Sequence, residues 1–345
     1  MNIPTEAKLL LRSGFGPGVT VSRDELCGAD STLPFPNSWN PAEIGDGKLF
    51  TYVGNQVQHP GFVSENPRAE YGITKADDPA GSGRQVMRYA YNALEPGKGF
   101  ARTQANMHCT GNLHEFYYKY DLYITPDLAQ FANYEGEVNW MMLLEFWNEE
   151  NWLGESRQYP YRVSVYLNKK PGLNQPFRIK TSGQIAEGWY NKETDDWVYD
   201  PAADTDGTPS PGEGYVRWGG TNEWAELSQP TVPLGEWLKC EVYYKTGGRN
   251  EGEFYFAATR PCGEKLVFCD KTGPGKCVAT KHPHNKTGKH ICVIQPFKLY
   301  TGADFVRFID DVNVANCKAG NPTNYKIEVF FDNVEFWSTK PLHRG

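Results

Sequence analysis

The chain has 345 residues, of which 39% are hydrophobic and 14% aromatic, so it is long enough to bury a large core in one domain or two. Its formal net charge is −7 and its pI about 5.6, and it has no block of lysine and arginine, which excludes nucleic acid as an expected partner. No stretch approaches the roughly 18 consecutive apolar residues of a transmembrane helix, which excludes a membrane-spanning class.

Strand patterns dominate the chain. Segments that alternate or are rich in β-branched and aromatic residues, separated by turn formers, lie at 84–92, 99–107, 114–124, 140–147, 161–168, 177–184, 236–247, 252–259, 305–314 and 325–337. The best helical candidate is the short segment 126–134, and no longer segment has a helical period. These patterns predict an all-β chain.

The number and spacing of these strands predict one two-sheet sandwich over residues 1–345, since no repeat and no clear linker divides the chain. Two segments are expected to be insertions over the sandwich. Residues 190–220 are rich in Pro, Gly and Asp but carry several aromatic residues, which suits a wall beside a cleft. Residues 260–295 are rich in cysteine.

Five of the eight cysteines fall within residues 262–317, which predicts two or more disulfides there. A zinc site is the alternative, because His282, His284 and His290 lie among these cysteines, but the spacing contains no C-x2-C pair. Asn285 begins an N-glycosylation sequon. The N-terminus lacks the pattern of a signal peptide, and Met1 is interpreted as replacing a removed leader. Together with the many glycines and prolines, these features predict a secreted protein.

The order of the strands resembles the concanavalin A-like jelly roll of glucanases and polysaccharide lyases over about residues 80–337. The segment "RTQAN" (102–106) resembles the R-[ST]-E-x-R strand of alginate-lyase-like enzymes, with Gln104 and Asn106 as replacements. The segment "PFKLYTG" (296–302) is similar to their F-K-x-G-x-Y strand and matches it at Lys298 and Tyr300. Where those lyases carry a Q-x-H strand, this chain has Glu145-Phe146-Trp147 and no histidine. The resemblance implies a β-jelly-roll sandwich that acts on carbohydrate.

Strand alternation sorts polar side chains onto shared faces of neighbouring strands, which predicts a groove on a concave sheet. The sets are Arg102, Gln104, Asn106 and His108; Glu145, Trp147 and Glu149; Arg162, Ser164, Tyr166 and Asn168; and Arg178 with Lys180. In the middle of an apolar run, Glu145 beside Trp147 supplies a polar group for hydroxyls and a ring for stacking on a sugar.

β-Elimination on a uronic acid needs a group that neutralises the carboxylate, a base and an acid. Arg102, with Gln104 and Asn106, suits the neutralising role, because a guanidinium fork matches a carboxylate. Tyr166 and Tyr300 are the candidates for base and acid. His108 is an alternative base, and a buried ion pair of Arg102 with Glu145 or Glu115 is the competing structural role.

Hydrolysis needs two carboxylates, and Glu145 with Glu149 resembles the E-x-D-x-E strand of jelly-roll glucanases with Trp147 in place of the aspartate. A β-bulge would replace Glu149 by Glu150. Near the C-terminus, "FFDNVEFW" resembles the closing strand of carbohydrate-active jelly rolls, and Asp332 matches the aspartate that binds a structural calcium.

The sequence therefore predicts a secreted enzyme that cleaves an acidic polysaccharide by β-elimination and needs no cofactor for its chemistry. Arg102, Gln104, Glu145, Tyr166 and Tyr300 are the catalytic candidates. The predicted substrate-binding residues are Asn106, His108, Trp147, Glu149, Arg162, Asn168, Lys180 and Lys298. A glycoside hydrolase and a non-catalytic carbohydrate-binding protein are the alternatives, and a monomer is expected.

Overall fold

The structure, a computed structural model, describes residues 7, 9–14, 50–58, 70–93, 100–109, 114–147, 161–185, 188–191, 193–194, 196–199, 212–218, 222–282, 293–295, 297–321 and 323–339. Within these ranges nineteen strands form three antiparallel sheets. The first nine strands are β1 (Leu9–Ser13), β2 (Phe50–Gln58), β3 (Tyr71–Asp77), β4 (Gln85–Tyr91), β5 (Phe100–Cys109), β6 (Glu115–Ile124), β7 (Val138–Trp147), β8 (Tyr161–Lys169) and β9 (Arg178–Ile185). The others are β10 (Gly188–Asn191), β11 (Asp196–Tyr199), β12 (Tyr215–Trp218), β13 (Asn222–Thr231), β14 (Trp237–Lys245), β15 (Glu253–Thr259), β16 (Lys265–Lys271), β17 (Val293–Gln295), β18 (Lys298–Gly302) and β19 (Ile327–Trp337).

Two eight-stranded sheets make up the predicted jelly-roll sandwich. Sheet A has the order β16-β15-β14-β6-β19-β4-β3, with β1 also paired to β19. Sheet B has the order β13-β9-β8-β7-β17-β5-β18, with β2 paired to β5 and β18 also paired to β7. The all-β prediction is confirmed, and β7, β8 and β9 lie side by side, as strands joined by hairpins should.

Aromatic side chains fill the space between the two sheets. Phe116 of sheet A packs on Phe146 of sheet B with ring centroids 5.3 Å apart, and Tyr118 stacks on Phe336 at 4.6 Å. Tyr118 is fully buried, as are Tyr89, Tyr91, Tyr120, Tyr161 and Tyr244. These tyrosines therefore serve the core, where each ring removes a large apolar area from water.

Segment 305–314, predicted as a strand, is instead part of helix α1 (Ala303–Lys318). Its buried residues Phe305, Val306, Ile309 and Asn313 recur every three to four positions, which is the period of a helix. The Asn313 side chain accepts from the Tyr325 amide at 2.7 Å and donates to the Tyr325 carbonyl at 2.8 Å. β-Branched and aromatic composition was thus a misleading signal here, because tertiary packing overrides such a preference.

The segment predicted to be helical at 126–134 forms a 3-10 helix, Pro126–Asn133. Leu128 and Phe131 are its buried residues, and Phe131 packs on Phe308 of α1 with ring centroids 5.7 Å apart. These contacts anchor the loop that leads into β7.

The two predicted insertions differ in structure. Within 190–220, strands β10, β11 and β12 form a separate three-stranded sheet in the connection between β9 and β13. Within 260–295, by contrast, residues 265–271 are β16, the edge strand of sheet A, so this part belongs to the sandwich itself.

The predicted disulfides are not found among the described residues, where Cys240, Cys262, Cys269, Cys277 and Cys317 all carry free thiols. Cys27 and Cys292 lie outside the described residues, as do His284, His290 and Asn285. In the part of the chain that the structure describes, no three His, Cys, Asp or Glu side chains come together as a metal site. No described helix is long and apolar enough to cross a membrane.

Candidate active site

Five strands of sheet B bring four predicted site residues and Met142 into register, and the face of this sheet that is turned away from the core is here called its outer face. Tyr300 on β18 pairs with Arg102 on β5 and with Met142 on β7, Met142 pairs with Tyr166 on β8, and Tyr166 pairs with Lys180 on β9. We call these five residues the tyrosine row. Neighbouring strands lie about 4.8 Å apart, so the backbones of Tyr300 and Tyr166 are separated by about 10 Å.

Met142 shares this face with Glu145 because β7 is bulged between them. Met142 pairs with Tyr166 whereas Leu144 pairs with Val165, so one extra residue is inserted. Strict alternation would have put Leu143 on the face of Glu145, but Leu143 and Leu144 both join the core. The bulge thus allows two successive leucines to be buried while Glu145 faces away from the core.

Glu145 is 1% exposed and lies among hydrogen-bond donors on neighbouring strands. Its Oε2 forms an ion pair with the ammonium of Lys298, whose side chain is also buried. Its Oε1 accepts from Ser164 Oγ at 3.1 Å, and Arg162 Nη1 lies 3.5 Å away. Buried carboxylates require such partners, because an unpaired charge is costly away from water. Glu145 thus pairs with Lys298 and Arg162, and Glu115 accepts from the Tyr243 hydroxyl at 2.9 Å. The predicted pairing of Arg102 with Glu145 or Glu115 falls on a side chain outside the described residues and stays a prediction.

A stack of planar groups lies beside this carboxylate. The guanidinium of Arg162 is 5.0 Å from the centre of the Trp140 ring and 5.2 Å from that of Trp147. Trp140 stacks in turn on Tyr166, with centroids 5.7 Å apart and an interplanar angle of 5°. Arg162 Nε also donates to Gln184 Oε1 at 2.6 Å, which fixes the guanidinium between the rings. Rings held in this way offer flat apolar surface beside charge.

Trp140 was not among the predicted site residues. Its φ of 69° is rare for a bulky side chain, and the β7 register shifts between Val138 and Met141, on either side of it. Sequence alternation cannot show a bulge, so the side of β7 on which Trp140 lies could not be predicted. The one available signal was the presence of two tryptophans in a short strand.

The other predicted residues differ in their proximity to the tyrosine row. Gln104 is fully buried and pairs in register with Lys298, beside the ion pair of Glu145. His108 lies six residues beyond Arg102 on β5, about 20 Å along the strand, so it is distant from the two tyrosines. Asn106 lies between them on the same strand; of Arg102, Asn106 and His108 the backbone alone is described.

Asn168 continues the face of Tyr166 along β8, where its amide donates to Glu137 Oε1 at 3.1 Å. Glu149 and Glu150 lie outside the described residues. Asn168 is four residues from Ser164, the partner of Glu145, which corresponds to about 13 Å along β8. Glu137 and Glu145 thus bind residues whose backbones lie about 13 Å apart. The two carboxylates of a glycosidase lie roughly 5 to 9.5 Å apart.

Asp332 lies on sheet A, opposite Asp121 of β6. Arg84 Nη1 contacts its Oδ2 at 3.0 Å, and its Oδ1 accepts from the Asn333 amide at 2.8 Å. Burial raises the pKa of Asp332 to about 6. Arg84 also binds Asp78, so its guanidinium supplies the positive charge between the two carboxylates. Asp332 thus pairs with an arginine among the described residues, while residues 15–49 of the N-terminal segment lie outside them, so the calcium site at Asp332 stays a prediction.

The comparisons with known proteins found similar structures only. A marine alginate lyase of Aplysia kurodai has a TM-score of 0.40 and 10% identity, covering 76% of this chain and 86% of the lyase. An endo-β-1,4-glucuronan lyase of the fungus Trichoderma reesei has a TM-score of 0.38 and 11% identity, over 84% of this chain and 96% of that one. The catalytic domain of a β-glucanase of Podospora anserina has a TM-score of 0.33 and 12% identity, over 84% of each chain. No family model and no curated protein matches the sequence.

Proposed function

We propose that this protein is a polysaccharide lyase that cleaves a uronic-acid-containing glycan by β-elimination on the outer face of sheet B. The observation that carries the proposal is the tyrosine row, in which two tyrosines lie between an arginine and a lysine. Cationic groups and phenols in one row are what elimination next to a carboxylate requires.

In this mechanism Arg102 neutralises the uronate carboxylate, which makes the neighbouring C5 proton more acidic, and Lys180 at the other end of the row binds the substrate. One tyrosine of the row, as its phenolate, accepts that proton and becomes a phenol, and the electron pair of the C–H bond forms the double bond between C4 and C5. The bond from C4 to the glycosidic oxygen breaks, and the other tyrosine protonates the leaving oxygen. Which of Tyr166 and Tyr300 acts as base depends on the direction in which the chain of sugars lies.

A lysine ammonium lies beside each of the two tyrosine rings. The Lys180 ammonium lies 5.7 Å from the centre of the Tyr166 ring, and the Lys298 ammonium lies 5.4 Å from that of Tyr300. The carboxylate of Glu145 binds Lys298 through one oxygen and Ser164 through the other, with Arg162 beside it, which makes it a positioning group rather than a base. A hydrolase would instead need an accessible pair of carboxylates.

The test is a screen of purified protein against polyuronates, pectic polymers, β-glucan and xylan, with ultraviolet absorbance of unsaturated ends measured beside reducing sugar. A rise in both on a polyuronate is expected. Reducing ends without absorbance would establish hydrolysis and move attention to Glu145. No change in absorbance or in reducing sugar, together with retention on one insoluble glycan, would indicate a non-catalytic carbohydrate-binding protein.

Three variants test the assigned roles. Tyr166→Phe and Tyr300→Phe should each lower kcat by about 10² to 10⁴, the usual contribution of a general acid or base. Arg102→Ala should abolish activity while the far-ultraviolet circular dichroism stays native. Tyr243→Phe is the matched control, because that hydroxyl lies on sheet A and donates to Glu115. Full activity of the Tyr166 and Tyr300 variants would remove both from the mechanism.

We also propose that the protein is secreted and monomeric, as its composition predicts. Fractionation of producing cells and their medium measures the first property, and light scattering of the purified protein measures the second.

A further inference from the structure

A pocket of about 110 Å³ lies at the end of β8 and β9, beyond the tyrosine row, and none of the roles above uses it. Asn168, Lys170, Gln175, Pro176 and Arg178 line it. We call it the Lys170 pocket.

The register shows that this pocket continues the proposed active face. Asn168 pairs with Arg178, two positions along from the pairing of Tyr166 with Lys180. Two residues of a strand span about 7 Å, so the pocket lies roughly that far from the row, on the same face of the sheet. A polysaccharide that lies along β8 at Tyr166 would reach it with a neighbouring sugar.

The turn that forms the pocket is fixed by a buried lysine. Lys169 is fully buried, and its ammonium donates to the carbonyls of Gly136 at 3.1 Å, Lys170 at 3.1 Å and Gly172 at 2.9 Å. The Gly172 amide donates to the Glu135 carbonyl at 2.7 Å, which ties the turn to the segment before β7. A cation that satisfies three carbonyls stabilises one conformation of the turn, so the pocket is pre-formed.

Positive charge dominates the lining. Lys170 is exposed, Arg178 is half-buried, and Arg178 Nη1 donates to the Ser228 carbonyl at 2.9 Å and to that of Gln229, which holds its guanidinium at the rim. The carboxylate of Glu137 is the opposing charge, and the buried Asn168 amide donates to it. In a protein of net charge −7, local cations focus attraction for an anion on this end of the face.

We propose that the Lys170 pocket binds the carboxylate of a uronic-acid unit next to the unit that lies at the tyrosine row. The proposal rests on the proposed function and adds a second anionic subsite to it. Lys170 and Arg178 supply the charge and Gln175 supplies an amide, a donor set that suits a carboxylate. The pocket thereby makes affinity depend on the charge of more than one sugar.

Calorimetric titration with a uronate monosaccharide and a tetrasaccharide tests this proposal, for wild type, Lys170→Ala, Lys170→Arg and the control Lys239→Ala, which changes a cation on sheet A. Lys170→Ala should raise the Kd for the tetrasaccharide about three- to tenfold, as expected for an exposed charge pair, and leave that for the monosaccharide, which occupies the tyrosine row alone, unchanged. Lys170→Arg should restore the affinity, Lys239→Ala should match wild type, and added salt should reduce the difference. A carboxyl-reduced tetrasaccharide should bind the wild type and Lys170→Ala equally.

The other outcomes refute the pocket proposal, the lyase proposal or both. Equal Kd values of wild type and Lys170→Ala for the tetrasaccharide, with unsaturated ends still formed, would refute the pocket and leave the lyase proposal standing. A Lys170-dependent Kd without unsaturated ends would keep the pocket and refute the lyase. An equal loss for the monosaccharide and the tetrasaccharide would contradict the position of the subsite, and no binding of the tetrasaccharide by wild type would refute both proposals.

Discussion

Replacing Lys298 by methionine should destabilise the protein strongly, because it leaves Glu145 as a buried carboxylate without its ammonium partner. The side chains of Glu145 and Lys298 are 1% and 4% exposed, so water cannot replace the lost partner. Breaking a buried pair in this way costs about 3–5 kcal/mol. Ser164 and Arg162 remain beside the carboxylate, which favours the lower end, about 3 kcal/mol.

The double variant Glu145→Gln/Lys298→Met separates burial of a charge from loss of packing. Removing both charges eliminates the unpaired group, so its free energy of unfolding should lie within about 1 kcal/mol of the wild type. Glu145→Gln alone leaves the Lys298 ammonium buried and unpaired, at a similar cost, so the cycle of two single variants and the double variant should give a coupling energy of about 5 kcal/mol.

Urea unfolding followed by tryptophan fluorescence measures these differences, with the midpoint and the slope compared for all four proteins. For cooperative unfolding of a chain of this length, a loss of 3 kcal/mol lowers Tm by about 4 °C. A loss below about 1 kcal/mol in Lys298→Met, or a double variant as unstable as the single one, would refute the argument that this ion pair is buried and mutually dependent.

Three further predictions follow from other parts of the structure. The pKa of Asp332 is about 6 in the folded protein, above its value in the unfolded chain, so the folded protein binds more protons than the unfolded chain between about pH 4 and 6. The free energy of unfolding of wild type, relative to that of Asp332→Asn, should therefore fall by about 1–3 kcal/mol as the pH rises through this window. A difference in urea titrations that does not change with pH would contradict the raised pKa. Trp147→Ala should raise KM for polysaccharide about three- to tenfold with little change in kcat, and an unchanged KM would exclude stacking of a sugar on that ring. In native protein, Cys262 and Cys317 are exposed and should react rapidly with a thiol reagent. Burial raises the pKa of Cys269 to about 12, so Cys269 should react only after unfolding, which peptide mapping measures. Protection of the two exposed cysteines would contradict their assignment as free thiols and indicate a disulfide.

The local pattern of the sequence was sufficient for most of the sheet. Alternation of polar and apolar residues placed β5, β8 and β9 close to their observed bounds, and predicted that Arg162, Tyr166 and Lys180 would face away from the core. Side-chain direction in a regular strand follows from a period of two, which requires no knowledge of distant residues. The prediction of a strand at 305–314 was wrong because the apolar residues of this segment suit the composition of a strand as well as the period of a helix, and packing favoured the helix.

What the sequence by itself determined is the two-sheet architecture and the polar faces of its regular strands, because both follow from periodicity along a single segment. The tertiary structure decided which of these residues meet. It inserted β18 between β5 and β7, so that Lys298 became the partner of Glu145, and it bulged β7 so that Trp140 lies against Arg162. Pairing between strands distant in the sequence and a one-residue bulge depend on how the whole core fills, and no local pattern encodes either.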